Sequence, residues 1–372
     1  MDILKQNASN VTADETHGMK VFSCYHFTVT DFNIGDIWPG WYILSCALSG
    51  VFSIAATVTN LLVLAAIHRT PSLHSPSNTL LFGLALADLG VGLFVHPLYF
   101  SLITGKLIRN KDVFCEAGIA VEVIANALCI ISLLTVTAVS LDRYLALRLH
   151  LRYKELVTIK RAIISIGIIW LIGAFSGTLW LYAPDMVKYN VMIIIVLCLL
   201  AAAFSYVQIY RAVTRVIHSE LTLKCAMERN ENIREQTANM ANFKSHALST
   251  FLVYCLIILC YLPYFCVVFV ITLTGHSTSK RFFYDMTANL VFINSSLDPL
   301  VYCWRLQGIR NAVKKTAKLL VAFQTEREQS TCAQNWRHMV MIFNSELLEI
   351  RGRKPIPISW LSAIILLLGR KI

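Results

Sequence analysis

The chain has 372 residues, of which 56% are hydrophobic and 15% are charged, and its formal net charge is +11. Soluble domains carry about 25% charged residues, so this composition is typical of a membrane protein. The basic residues interrupt apolar runs and form no stripe or tail, which argues against a nucleic-acid partner. Residues 1–37 contain no apolar core, so we expect no cleavable signal peptide.

Residues 1–40 predict an extracellular tail. They contain two N-glycosylation sequons, which begin at Asn7 and Asn10. Such sequons are glycosylated only in the lumen or outside the cell. Trp38 and Trp41 then fit an aromatic belt at the membrane interface. We therefore expect glycans at Asn7 and Asn10, on the outer side of the membrane.

Seven apolar segments follow the tail and predict an all-α membrane protein. Each segment approaches the ~20 residues that a spanning helix needs. The runs are continuously apolar, whereas the strands of a membrane barrel alternate. The segments lie near 41–67, 77–103, 115–147, 161–183, 190–217, 246–274 and 283–304. The sequence thus predicts a seven-transmembrane-helix bundle over residues 41–304.

The third segment has charged residues only near its two ends. Glu122 lies near its start, and Asp142-Arg143-Tyr144 lies at its finish. The helix between Glu122 and Arg143 is roughly 31 Å long, about the thickness of the hydrocarbon core. This segment therefore places an acid near one face of the membrane and an arginine at the other.

Lysine and arginine residues in the connections predict the orientation. They are far more numerous in the connections assigned to the inner side, which puts the N-terminus outside. The outer connections contain few lysine and arginine residues, and Lys106 is one of them. The second outer connection, 184–189, is very short. Residues 305–321 predict an amphipathic helix with a basic face on the inner leaflet. Residues 322–372 predict a cytoplasmic tail, whose apolar run 358–368 is too short to span.

Polar residues inside the spans suggest a functional site, because each is costly in lipid and normally faces the bundle interior. Asp88 and Asp298 lie at similar depth and would repel unless protons, water, amides or a cation intervene. The full set is Asn60, Asp88, Ser132, Asn294, Ser295 and Asp298. These oxygens suit a small hard cation, or they form a hydrated network that only joins the helices. Pro263 and Pro299 are expected to kink the sixth and seventh helices.

Motifs along residues 40–320 resemble those of the rhodopsin-like (class A) G-protein-coupled receptors. The matching stretches are Asn60 in the first segment, LALADL (84–89) in the second, SLDRY (140–144) in the third, Trp170 in the fourth, CYLP (260–263) in the sixth and NSSLDPLVY (294–302) in the seventh. The chain departs from the family pattern at Thr59, where Gly is usual, at Tyr261, where Trp is usual, and at Asp298, where Asn is usual.

The resemblance implies an extracellular ligand, a heterotrimeric G protein, arrestin-type regulators and the plasma membrane. It implies that Arg143 contacts the G protein when the sixth helix moves outward. The residues implied in coupling and activation are Asp142, Arg143, Tyr144, Tyr206, Tyr261, Pro263, Pro299 and Tyr302. The only ion that it implies is an allosteric sodium ion, held in the resting state by Asp88, Ser132, Asn294, Ser295 and Asp298.

The ligand stays open between a small molecule and a peptide. The short second outer connection, the fifth segment without proline and the Asp-Pro pair of the seventh resemble the branch of melanocortin, adenosine, cannabinoid and lysophospholipid receptors. Glu122 lies where melanocortin receptors carry an acid, but Gly118 replaces their second acid. The predicted pocket comprises Glu122, Asn126, Tyr261, Tyr264, Phe265, Val268, Asn289 and Phe292. Alternatively, the aromatic members of this set only pack the helices.

A transporter or channel is the alternative function. Such a protein would also place Asp88 and Asp298 at mid-membrane. It would usually show internal repeats or paired broken helices, and the sequence shows neither. The histidines are scattered and form no metal-binding or catalytic pattern, so we do not expect an enzyme.

The outer disulfide of this chain needs an unusual partner. The second outer connection has no cysteine that could pair with Cys115, and the tail offers Cys24. The tail is long enough to reach across the mouth of the bundle, and a Cys24–Cys115 bridge would tie it there as a lid. Alternatively, Cys115 is a free thiol, because a bridge requires close approach of the two Cα atoms.

Overall fold

The structure is a computed structural model that describes residues 24, 26–27, 38–149, 152–224, 255–275 and 277–319, together with positions 322, 327, 331, 334, 335, 337–339 and 341. The side chains at 147, 212–213, 215–224, 302 and 305 are not described. The predicted glycosylation sites Asn7 and Asn10 and the apolar run 358–368 lie outside these ranges. The chain divides into two compact units, 1–314 and 315–372, and the first contains the helical bundle.

Within the described residues, seven long helices form the bundle, as the sequence predicts. Their bounds are α1 Pro39–Arg69, α2 Pro76–Leu107, α3 Lys111–Leu149, α4 Ile159–Tyr182, α5 Pro184–Lys224, α6 Cys255–Thr274 and α7 Thr278–Arg305. Helices α1 to α6 are long and apolar enough to cross a membrane. Helix α7 is less apolar because it carries several of the buried polar residues, Asp285 and Asp298 among them.

Local sequence signals set several helix ends. The Ser75 hydroxyl accepts from the Asn78 amide at 3.3 Å at the start of α2, and Thr158 caps α4 in the same way. These contacts satisfy amides that the first turn leaves without helical partners. Within α2, Val91–Val95 forms a π-helical turn immediately before His96-Pro97.

The second outer connection is even shorter than predicted. Residues 184–189 were expected to form a loop, but α5 begins at Pro184, and Ala183 is the one residue between α4 and α5. Proline is favoured in the first turn of a helix, where its missing N–H would have no helical partner. Helices α3 and α7 also begin a few residues before the predicted starts.

Helix α3 lies at the centre of the bundle and packs against α2, α4 and α5. Helix α4 approaches α3 closely because Gly177 of α4 lies at the contact between the two helices. A Cβ atom added at Gly177 would lie 2.5 Å from the Val123 carbonyl oxygen. We name the two ends of the bundle by the predicted orientation, outer for the end at Phe114 and inner for the end near Val136. The buried core follows α3 between these two residues.

A further helix, α8, covers residues 307–319, within the predicted 305–321. Its apolar face is anchored to the bundle, since Ile309 is 2% exposed and belongs to the main core. Gly308 faces Leu73, and Val313 packs against the cluster formed by Val63 and Leu64. The contact of this helix with the inner leaflet stays a prediction.

Candidate functional site

A disulfide joins the tail to the outer end of α3. It links Cys24 to Cys115, whose Cα atoms are 5.8 Å apart, and this confirms the predicted bridge. The Phe27 amide donates to the Cys24 carbonyl at 2.8 Å, and the Cys24 amide donates to the Phe27 carbonyl at 3.2 Å. The bridge therefore holds a tight turn of the tail over the bundle.

Phe27 fills the space beneath that turn. Its ring centroid lies 5.4 Å from that of Phe114 and 5.8 Å from that of Trp180. A Cβ atom at Gly118 would lie 2.8 Å from the Phe27 ring. Gly118, which stands where melanocortin receptors carry a second acid, is thus the residue that makes room for the tail.

The turn of the tail that contains Cys24 and Phe27 lies over a cavity between the outer halves of the helices. This outer cavity has a volume of ≈ 580 Å³ and is lined by His26 and Phe27 of the tail. A smaller inner cavity of ≈ 50 Å³ shares part of its lining and continues toward Tyr261 and Phe292. The volume of the outer cavity is that of a small-molecule site.

Six of the eight predicted pocket residues line these cavities. Glu122, Asn126, Tyr264 and Val268 line the outer cavity, and Tyr261 and Phe292 line the inner one.

Phe265 and Asn289 line neither of these two cavities, so their role in ligand binding stays a prediction. Phe265 stacks on Phe269 instead, with the ring centroids 6.1 Å apart, and Asn289 is buried elsewhere in the bundle. Each follows a lining residue, Tyr264 or Ala288. One residue along a helix turns the side chain by about 100° and directs it to another face.

The structure adds two residues that the sequence reading missed, Tyr284 and Arg281. The Tyr284 hydroxyl lies 3.3 and 3.2 Å from the two Glu122 carboxylate oxygens. The Arg281 guanidinium carbon lies 4.8 Å from the Tyr284 ring centroid. Both residues lie in the first two turns of α7 and are three positions apart, so their side chains share one face of the helix. This spacing could have paired the two residues from the sequence.

A buried ion pair lies beside this cavity. Lys106 Nζ lies 2.6 Å from Asp285 Oδ2, and neither side chain is more than 2% exposed. The Tyr42 hydroxyl donates to the same carboxylate at 2.9 Å, and the Tyr99 hydroxyl donates to the Asp285 carbonyl at 3.0 Å. The sequence reading placed Lys106 in an outer loop, and this was wrong: Lys106 belongs to α2 and joins it to α7.

The predicted polar cluster comes together at the middle of the bundle. The Ser132 hydroxyl donates to Asp88 at 3.1 Å, and the Asn294 amide donates to Asp298 at 3.1 Å. The Asn60 amide donates to the Ser295 carbonyl at 2.9 Å.

Four buried oxygens of this cluster have no hydrogen-bond partner among the described residues, namely Asn60 Oδ1, Asp88 Oδ2, Asn294 Oδ1 and Asp298 Oδ1. Asp88 and Asp298 lie close enough for their charges to interact. Carboxylate and amide oxygens are the ligands that hard cations prefer. The donor set therefore fits the sodium ion that the sequence reading predicts.

Tyr261 lines the inner cavity and joins α6 to α3. Its side chain is 4% exposed, and its hydroxyl donates to the Cys129 carbonyl of α3 at 3.3 Å.

Pro263 lies half-buried in α6 and Pro299 lies buried inside α7. The side chain of Tyr302 is outside the described part of the chain.

The inner end of α3 is organised around Asp142. Its carboxylate accepts from Ser77 at 2.5 Å and from Tyr153 at 2.7 Å, and Arg143 Nη2 lies 3.6 Å away. Burial, together with the bond to Asp142, raises the pKa of Tyr153, so this hydroxyl stays a donor. Sequence reading missed Ser77 and Tyr153 because they come from other elements.

Of the remaining predicted activation residues, Tyr144 joins α3 to α5 and Tyr206 lies on α5. The Tyr144 ring lies 5.6 Å from Phe204, and its hydroxyl accepts from Arg148 at 3.2 Å. Tyr206 lies beside Tyr210, with the ring centroids 6.4 Å apart. Tyr144 therefore links α5 to the end of α3 that carries Arg143.

The sequence matches the family "7 transmembrane receptor (rhodopsin family)" over residues 59–302. It is also 25% identical over 290 residues to melanocortin receptor 4 of Danio rerio, an alignment that covers 73% of this chain and 83% of that protein.

Proposed function

Since the chain belongs to the rhodopsin family of G-protein-coupled receptors, we propose that a ligand in the outer cavity controls the release of Arg143 at the inner face. The chain is a receptor and not an enzyme, and the comparisons do not favour a seven-span transporter or channel. Its partners are an extracellular ligand and a heterotrimeric G protein.

The observation that carries this proposal is that α3 contributes to every functional layer. From the outer to the inner end it provides Cys115 to the disulfide, Glu122 to the cavity, the Cys129 carbonyl to Tyr261, Ser132 to Asp88, and Asp142 with Arg143. A ligand that alters the packing around α3 can therefore act on the inner face.

Tyr261 is the contact through which α6 responds to the ligand. It lines the inner cavity and bonds to α3, so a ligand that reaches this depth competes with the Tyr261–Cys129 contact. Loss of that contact frees α6 to move outward. The ligand biases the equilibrium by binding the open and closed states with different affinity.

Asp142 supports the resting state of Arg143. The Asp142 carboxylate accepts hydrogen bonds from Ser77 on α2 and from Tyr153 on the short helix Tyr153–Leu156, which follows α3. The same carboxylate lies beside Arg143. Outward movement of α6 then opens a site in which Arg143 exchanges Asp142 for the G protein.

A sodium ion bound by Asp88, Ser132, Asn294, Ser295 and Asp298 stabilises the resting state in this proposal. The unpartnered buried oxygens of Asp88 and Asp298 support it. A bound cation would offset the repulsion between the two carboxylates. Asn60 holds the Ser295 backbone and so positions α7 next to this site.

We further propose that the receptor lies in the plasma membrane with its N-terminus outside. The Cys24–Cys115 disulfide supports this, because disulfides persist on the oxidising side of the membrane. The basic residues of the inner connections and of α8 would then face anionic lipid, and arrestin-type regulators would reach the same inner surface.

The direct test is a comparison of two activities in reconstituted membranes. We expect the receptor to accelerate nucleotide exchange on at least one heterotrimeric G protein from a panel covering the main classes. Solute flux without any nucleotide exchange would contradict the proposed function and support the transporter alternative.

A further inference from the structure

Three buried polar side chains of α1, α2 and α7 have unpartnered atoms. They are Ser49, His96 and Asn289, each at most 4% exposed, and we call them the junction cluster. Ser49 Oγ, both ring nitrogens of His96 and Asn289 Oδ1 have no hydrogen-bond partner among the described residues. A buried polar atom without a partner raises the free energy of the state that contains it. The junction cluster therefore disfavours the arrangement of helices in which it is found.

The spacing of residues along α1 and α7 places Ser49 beside Asn289. Near the outer ends of these helices the rings of Tyr42 and Phe282 meet, with centroids 6.4 Å apart. Ser49 and Asn289 each lie seven positions further along, about two helical turns, on the same faces of their helices. Because α1 and α7 run in the same direction and pack together, these two side chains reach the same level.

His96 of α2 lies at this level too. One turn below Ser49, the Ser53 hydroxyl donates to the Gly92 carbonyl of α2 at 2.8 Å, and α2 runs antiparallel to α1, so His96 lies one turn above that bond. On the side of α7, the His96 ring meets the Phe292 ring edge-on, with centroids 6.3 Å apart. The imidazole also approaches the Phe292 carbonyl, but neither ring nitrogen has hydrogen-bond geometry.

The neighbouring polar groups of the bundle differ from the junction cluster. Toward the outer end, the Asp285 carboxylate is paired with Lys106 and accepts from Tyr42. Toward the inner end, the unpartnered oxygens of Asp88 and Asp298 suit a cation. The junction cluster contains no carboxylate, so a cation does not account for its unpartnered atoms.

The three side chains have the chemistry to bond to one another. A neutral imidazole has one donor and one acceptor nitrogen, and a serine hydroxyl and an asparagine amide can each donate and accept. Both α2 and α7 contain a local break in the helix at which they can bend, the π-helical turn Val91–Val95 and Pro299. A shift of α7 against α1 and α2 can therefore complete hydrogen bonds that this arrangement lacks.

We propose that the junction cluster is a conformational switch that favours activation. It lacks hydrogen bonds in the resting arrangement and gains them when α7 moves relative to α1 and α2. This inference rests on the proposed two-state function of the receptor and adds an element, separate from the cation site, that sets the basal activity.

Two serines of α1 provide a matched pair of variants. Ser49→Ala removes an unpartnered hydroxyl, whereas Ser53→Ala removes the donor to the Gly92 carbonyl. We expect Ser49→Ala to raise the thermal midpoint of the purified full-length receptor by about 2–4 °C, and Ser53→Ala to lower it by a similar amount.

Two asparagines provide a second pair. Asn289→Leu removes the unpartnered amide oxygen, whereas Asn190→Leu breaks a hydrogen bond of 2.7 Å to the Ser176 hydroxyl. The same contrast in thermal midpoint is expected. Ser49→Ala and Asn289→Leu should also lower nucleotide exchange without ligand, per folded receptor, by about fivefold or more. The bonded controls should not lower it.

The proposal is overturned if Ser49→Ala or Asn289→Leu lowers the thermal midpoint as its control does, because the removed group then has a partner in this state. It is also overturned if the midpoints rise while the basal exchange per folded receptor stays at the wild-type level. A wild-type receptor that activates no G protein rejects the proposed function, whereas the midpoints still decide whether the junction cluster lacks hydrogen bonds.

Discussion

Lys106 and Asp285 form a salt bridge of 2.6 Å although 179 positions separate them in the chain. The bridge joins the outer end of α2 to the first turns of α7, and Tyr42 of α1 donates to the same carboxylate. Three helices therefore meet at one buried carboxylate, next to the Arg281 that lines the cavity.

The first prediction concerns this ion pair. Lys106→Met should destabilise the receptor, because it removes the closer of the two cations at the buried Asp285 carboxylate and leaves Arg281, at 3.2 Å, as the other. Complete loss of the partner of a buried charge costs about 3–5 kcal/mol, so the expected loss of stability lies below that range. The measurement is the thermal midpoint of the purified protein. Lys111→Met, at an exposed position on α3, is the control and should have little effect. Equal midpoints for the two variants would show that the Lys106 pair contributes nothing.

The second prediction concerns the disulfide. Cys24→Ser and Cys115→Ser should each lower stability by about 2–5 kcal/mol, and the double variant should be no less stable than either single one, because all three lack the same bond. Cys266→Ser, at an exposed free cysteine on α6, is the matched control. Mass spectrometry of unreduced peptides checks the bond itself, and alkylation of both Cys24 and Cys115 in the native protein would rule it out.

The third prediction concerns coupling. Arg143→Ala should abolish G-protein activation while surface expression stays near that of the wild type, because the Arg143 side chain is partly exposed and its contact with Asp142 is a long one of 3.6 Å. Nucleotide exchange and cell-surface labelling measure the two effects separately. Arg161→Ala, at the inner end of α4, is the control and should retain activity. Normal exchange by Arg143→Ala would refute the role given to this residue.

The fourth prediction concerns the cation site. Sodium should raise the thermal midpoint of the wild type relative to a bulky organic cation at equal ionic strength. A ligand at 100 times its dissociation constant adds about 2.7 kcal/mol of stability. Asp88→Asn should remove this difference and any sodium sensitivity of agonist affinity, whereas Asp112→Asn, at an exposed position in the first turn of α3, should keep both. If the wild type responds identically to the two cations, the cluster of Asp88 and Asp298 only joins the helices.

The spans and their polar residues could be predicted from the sequence because each depends on neighbouring residues alone. A continuous apolar run must form a helix in lipid, where every backbone group needs an internal partner. A charged residue such as Asp88 within such a run must face the interior. The bridge between Cys24 and Cys115 could be predicted as well, because the second outer connection has no cysteine.

Only the tertiary structure decided which residues face the cavity and which charges meet. Phe265 and Asn289 were assigned to the pocket because they lie at the right depth, but depth does not give the rotation of a helix about its axis. Lys106 was assigned to a loop because an apolar run marks where a span ends only within several residues. Its burial depends on Asp285, a partner that is distant in sequence and is brought close only by the packing of α2 against α7.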